Sequence, residues 1–143
     1  MSANPYKDFE TDSNVEKTGV SIDYGSYQIV IARAGGANQK YNKVLNAKMK
    51  PHTRLIENEQ LDPKISDLIL YETYASTVVL GWTGVTDREG KAIPFSEKAC
   101  IKLFQDLPAL FLDLREVASK IDAFKVLDLE ESAGNSQSSC STE

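Results

Sequence analysis

The sequence predicts a mostly helical α+β protein: an N-terminal β-hairpin packed on about four helices, with acidic, flexible N- and C-terminal tails. Three observations carry this. "GVSIDYGSYQIVIARA" alternates apolar and polar residues on both sides of Gly25-Ser26, the pattern of two half-buried strands and a Gly-X turn. Asp62-Pro63 opens a long apolar stretch with helical spacing, and Asp followed by Pro is a strong helix start. Pro108 opens a second such stretch, striped by Leu110, Phe111, Leu114, Val117, Ala118 and Ile121.

The elements follow in order. Residues 1–17 are polar with scattered Tyr6 and Phe9, and read as an extended arm. In the hairpin, 19–34, Val20, Ile22 and Tyr24 share one face, as do Tyr27, Ile29 and Ile31. Two strands alone are marginal, so that face needs helices against it. Gly35-Gly36 then turns the chain into a helix over about 38–50. Asn38 is its expected cap, Tyr41, Val44, Leu45 and Lys48 form its inner face, and Pro51 is its stop. A short helix is expected over 54–59. The helix over 63–80 is apolar over a broad arc and should be central. "GWTGVTDREGKAIPFSEKA" breaks the helical period, with a turn at Asp87–Gly90 between Val85 and Ile93. Ser96 caps a helix over about 97–105, and the last helix is expected over 108–127. The remainder, 128–143, is polar, Ser-rich and low in complexity, and is expected to be disordered.

Composition narrows the function classes. A chain of 143 residues is most simply one compact domain, 18–127, between two tails, and buries roughly two thirds of its unfolded surface. The net charge of −5 is uneven: 1–17 carry −2, 128–143 carry −4, and 18–127 sum to +1. No basic stripe is read from this balance, so nucleic acid is not an expected partner. The longest apolar runs fall short of a membrane span. No basic-then-apolar leader opens the chain, and the expected location is the cytoplasm.

Chemistry finds little to use. Adjacent Gly35-Gly36 lacks the third glycine of a dinucleotide loop and the Lys-Ser/Thr of a Walker loop, so it is read as a turn. His52 is the only histidine, which leaves no metal partner and reads as a surface residue. Cys100 and Cys140 are too isolated for a disulfide framework or a zinc site. Asp23 and Glu72 are the acidic residues inside apolar segments; Asp23 should face the polar side, and Glu72 is expected to pair with Arg33 or Lys43. An enzyme would need a cleft lined by Asp23, Glu72 and Arg33. No catalytic, cofactor or metal residues are therefore assigned. Trp82 is read mainly as a core plug. With Leu110, Phe111 and Leu114 it also forms the set of candidate partner-binding residues, because aromatic anchors dominate interfaces.

The strings "GVSIDYGSYQIVIARAGGANQKY" and "LGWTGVTDREGKAIPFSEKACIKLFQDLPALF" resemble a family of small tailed-bacteriophage proteins assigned as tail assembly chaperones. The resemblance runs from about Tyr6 to Phe124 and rests on whole-segment pattern. It implies a mainly helical, self-associating helper, present in the host cytoplasm and left out of the mature virion. Such a helper binds the long helical tape-measure protein and assists tail-tube subunits to assemble around it. It carries over no catalytic residue. Many such phages make the chaperone in two lengths by ribosomal frameshifting. Ala133-Gly134-Asn135 can be encoded GCG-GGA-AAC, which contains a slippery heptamer. This is a hypothesis that any other Gly codon at 134 would sink. The rival expectation is a structural tail or connector component that stays in the virion.

Overall fold

The computed structural model describes residues 4–126. The chain is mostly helical with one small antiparallel sheet. Strands β1 (Val20–Asp23) and β2 (Gln28–Ile31) form the expected hairpin. Their register is Val20↔Ile31 to Asp23↔Gln28. The two-residue turn is closed by the Tyr24 N–H on the Tyr27 carbonyl at 2.9 Å. Gly25 has φ +92°, which this turn requires at its first central position.

A third strand was not expected. The helix that starts at Pro63 ends at Thr77 rather than 80, and Val79–Thr83 is strand β3, paired antiparallel to β2. The sheet order is β1-β2-β3. The β-branched run Thr77-Val78-Val79 explains the switch, because such side chains fit a pleated sheet better than a continuing helix. A register irregularity between Val30 and Ile31 accommodates the entry of β3.

The expected arm is also corrected. Helices α1 (Pro5–Phe9) and α2 (Ser13–Thr18) form within it, capped by the side chains of Asn4 and Asp12. Helix α2 is tied to the body by Glu16, which is 3% exposed. Thr11 bridges Lys125, and the Asp12 N–H donates to the Phe124 carbonyl at 2.7 Å.

The remaining helices are α3 (Gln39–Met49), a 3₁₀ turn (Lys50–His52), α4 (Thr53–Glu57), α5 (Pro63–Thr77), α6 (Glu97–Asp106) and α7 (Pro108–Ser119). Ser96 caps α6 through the Ala99 N–H as expected. Helix α7 is shorter than the predicted 108–127. Lys120 turns extended at its end, and a 3₁₀ turn, Asp122–Phe124, buries Phe124. That turn packs against α2 as well as α7.

Helix α5 lies at the centre. Tyr71 and Tyr74 on α5 meet Phe104 of α6 and Phe111 of α7, with ring centroids 4.8 to 5.8 Å apart. The inner face of the sheet, Ile29, Ile31 and Val79, closes on the same cluster. Trp82 packs at its margin, edge-on to Phe95, and donates its indole N–H to the Ile93 carbonyl at 2.8 Å. It therefore pins the loop after β3, where Ile93 also donates its N–H to the Val85 carbonyl.

Candidate partner-binding groove

A groove of about 500 Å³ opens between α3, α4 and the start of α5. It is lined by Tyr41, Leu45 and Met49 of α3, Ile56 of α4, Leu61, and Ile69 and Leu70 of α5, with Glu59, Ser66 and Arg115 as its polar members. Two helix breaks between α3 and α5 shape this groove. Pro51 stops α3, since proline cannot supply the next helical N–H. Glu59 then takes φ +56°. The Gln60 N–H returns to the Leu55 carbonyl at 2.7 Å and the Glu59 N–H to Ile56 at 3.0 Å, which is a Schellman-type helix end. Asp62 accepts the Lys64 N–H at 2.9 Å and starts α5 in the opposite sense. Lys48 and Glu72, 3.2 Å apart, hold α3 to α5. The arrangement leaves an apolar trough that a helical stripe or an extended apolar segment can fill.

The outer side of α3 differs sharply in charge. Between residues 39 and 56 stand five cations, Lys40, Lys43, Lys48, Lys50 and Arg54, and no carboxylate. Lys40, Lys43, Lys50 and Arg54 are exposed, and none is ion-paired among the described residues. Sequence reasoning missed this stripe because it summed charge over 18–127, where the carboxylates that follow cancel it. The signal was present in the uninterrupted run.

The foot of α3 is built around a buried ion pair. Arg33 donates to Glu16, and Glu16 also accepts the Ala37 N–H at 3.0 Å. Burial pushes the Glu16 carboxyl up, but hydrogen bonds from Arg33, the Ala37 N–H and Thr11 outweigh it and hold the carboxyl below its ordinary value. Asn38 stands at the cap position, yet its side chain does not cap α3. It donates to the carbonyls of Arg33 at 2.8 Å and Thr77 at 2.9 Å instead, joining the end of the hairpin to the end of α5. Gly35 and Gly36 have φ +119° and +54°, so the doublet is the turn that the sequence predicts.

The sequence-selected residues are not brought together. Asp23 accepts from the Gly25 N–H and Gln28, Glu72 pairs with Lys48, and Arg33 pairs with Glu16; the pairing of Glu72 with Arg33 or Lys43 is thus corrected. His52 lies in the 3₁₀ turn after α3. Among the partner-binding candidates, Phe111 and Leu114 are core residues, both almost fully buried. They cannot meet a partner while the core is closed, which corrects that assignment. Leu110 is partly buried against the same core. Trp82 is half-buried at the sheet margin. The exposed large apolar residue of α7 is Leu112, at 60%, about 100° around the helix from Phe111. Ala133, Gly134 and Asn135 lie outside the described residues. No helix among the described residues is long and apolar enough to cross a membrane.

The fold and groove define a small, mostly helical α+β protein. A family model described as YdaY prophage protein matches residues 36–135, more than half of the chain. The chain belongs to the YdaY prophage protein family. No curated protein and no solved structure matches it.

Proposed function

We propose that this prophage protein is a non-catalytic tail assembly chaperone. It holds an apolar helical segment of the tape-measure protein in the groove between α3, α4 and α5 and helps tail-tube subunits assemble around it. The observation that carries the reading is the groove itself: a mostly apolar trough of about 500 Å³ between α3, α4 and α5, a concave surface of the kind that takes the apolar stripe of a partner helix. Phage origin and the whole-segment resemblance to tail assembly chaperones support it. The acidic tail segments add the net charge that keeps an apolar-binding helper in solution. On this reading the protein works in the host cytoplasm, associates with itself, needs no cofactor, and is left out of the finished particle.

The test is co-expression with the longest reading frame downstream in the same genome, followed by affinity pull-down. The long protein should become soluble and co-purify, and Leu45→Asp with Ile56→Asp should abolish the capture. A long protein that neither binds nor gains solubility overturns the reading.

One observation favours a second reading. Strand β1 is an edge of the sheet, and an edge strand can accept a neighbour's strand. A structural tail or connector component would use it so. Mass spectrometry of purified particles separates the two: a structural part is present in multiples of the tail symmetry, and a chaperone is absent or trace.

A further inference from the structure

We infer that the cationic outer face of α3 and α4 is covered by the chain's own acidic C-terminal segment, residues 127–143, which any acidic partner must displace. The charge sets match. Lys40, Lys43, Lys50 and Arg54 are exposed without a carboxylate partner among the described residues. The segment after residue 126 carries Asp128, Glu130, Glu131 and Glu143 and no cation.

The place where the described chain ends also fits. Phe124 accepts the N–H of Asp12, the cap of α2. Helix α2 is six residues long, about 9 Å at the usual helical rise. Its Glu16 accepts the Ala37 N–H at the foot of α3. The chain therefore leaves the body one short helix away from the start of the cationic stripe. The segment of 17 residues spans at most about 55–60 Å when extended. The stripe along α3, 11 residues long, spans only about 16 Å. Reach is ample. Tethering raises the segment's local concentration to the millimolar range, enough for a weak electrostatic contact to persist. The stretch matched by the family model, 36–135, holds the whole stripe together with Asp128, Glu130 and Glu131.

This inference does not depend on the tape-measure reading. A covered face rejects nucleic acid and other polyanions in the host cell, while an acidic partner that binds the stripe exchanges with the segment. The contact should weaken with salt, because exposed charges are screened beyond about 3 Å at 1 M ionic strength against about 10 Å at 0.1 M.

The test is zero-length carbodiimide cross-linking of the full chain, read by peptide mass spectrometry. Asp128, Glu130 or Glu131 should join Lys40, Lys43 or Lys50 several-fold more often than Lys91 or Lys98. The preference should survive tenfold dilution and fade in about 0.5 M salt. A second measurement uses the full chain with Asp128→Asn, Glu130→Gln, Glu131→Gln and Glu143→Gln, and a labelled polyglutamate peptide as probe. The variant should bind the probe several-fold more tightly than the unaltered chain. Undirected cross-links, or cross-links lost on dilution because a second copy supplies the segment, overturn the inference. So does equal probe binding by the two chains, or equal tight binding of duplex DNA by both, which would assign the stripe to nucleic acid.

Discussion

Glu16 and Arg33 form an ion pair in the space that a side chain at position 36 would occupy. A Cβ built on Gly36 would stand 2.7 Å from Glu16 Oε2 and 2.8 Å from Arg33 Nη1. The glycine that turns the hairpin into α3 is thus also the glycine that leaves room for α2 to be fastened down.

Replacing Gly36 by Ala should therefore cost more than its left-handed backbone alone requires, in total about 2–3 kcal/mol. Part of that cost should vanish in a chain that also carries Glu16→Ala, because the crowded carboxylate is gone. Gly35→Ala meets no atom within 4 Å, so its cost is backbone strain only and should add to that of Glu16→Ala. Urea denaturation of the three single and two double variants, read as double-mutant cycles, checks this. Equal coupling for both glycines would refute it.

Removing one partner of the pair should be worse than removing both. Glu16→Ala leaves the Arg33 guanidinium and the Ala37 N–H without their acceptor, and should destabilise by about 2–4 kcal/mol. The pair also sets an acid limit. Glu16 titrates below its ordinary value of 4.5 in the folded chain, so the unfolded chain binds the proton more readily. The stabilisation is complete above pH 4.5 and is lost as pH falls through the lowered value. Stability measured between pH 6 and pH 3 should fall more steeply for the unaltered chain than for Glu16→Gln.

Asn38 acts as a clamp through its amide donors. Asn38→Asp keeps the shape but sets a carboxylate against the carbonyls of Arg33 and Thr77, and should destabilise by about 2–4 kcal/mol. Asn38→Ala should be milder. If the aspartate were harmless or helpful, the side chain would be capping α3 after all.

Core and surface separate cleanly on α7. Phe111→Ala should cost about 3–5 kcal/mol and Leu114→Ala about 2–5 kcal/mol. Leu112→Ala should stay within about 0.5 kcal/mol. Any loss of partner capture by the first two should track the unfolded fraction, which thermal melts beside the pull-down would show.

Cys100 is fully buried, and burial, with a smaller effect of Glu97, pushes its thiol up to about 12. Since the thiolate is the reactive form, Cys100 should resist alkylation at pH 8 until the core opens. Its modification rate in increasing urea would report the global opening free energy. Rapid labelling of Cys100 without denaturant would contradict the packing.

Where local chemistry and final structure agree, the sequence was readable. Tyr24-Gly25-Ser26-Tyr27 needs only its own residues to make a turn, and Asp62-Pro63 and Ser96 announce their helices without help. The alternation of Ile29 and Ile31 located the buried face of β2. What escaped depends on distant partners. Val79–Thr83 is a strand because β2 offers it an edge, and nothing within the helical period of α5 reveals that edge. Glu16 looked like one more acidic residue in a polar arm; its burial follows from Arg33 and from the missing side chain at position 36. Asn38 occupies the predicted cap position but spends its donors on Thr77, far along the chain. The groove has the same origin. Tyr41, Val44, Leu45 and Lys48 read as the inner face of α3, and only the way the chain passes Pro51 and Glu59 on its way to α5 leaves Tyr41 and Leu45 lining an open groove.

The placement of β2 between β1 and β3 has a consequence for synthesis. Residues 20–31 leave the ribosome first, yet their second sheet partner is Val79–Thr83, and the Ala34 N–H waits for the Ala118 carbonyl. An isolated two-stranded hairpin has little stability of its own. The amino-terminal third must therefore stay unsettled until nearly the whole described chain has been translated, and the last turn, at Phe124, locks the first helices in place. A nascent chain that stalls before this point presents an unfinished sheet edge to the host's folding machinery.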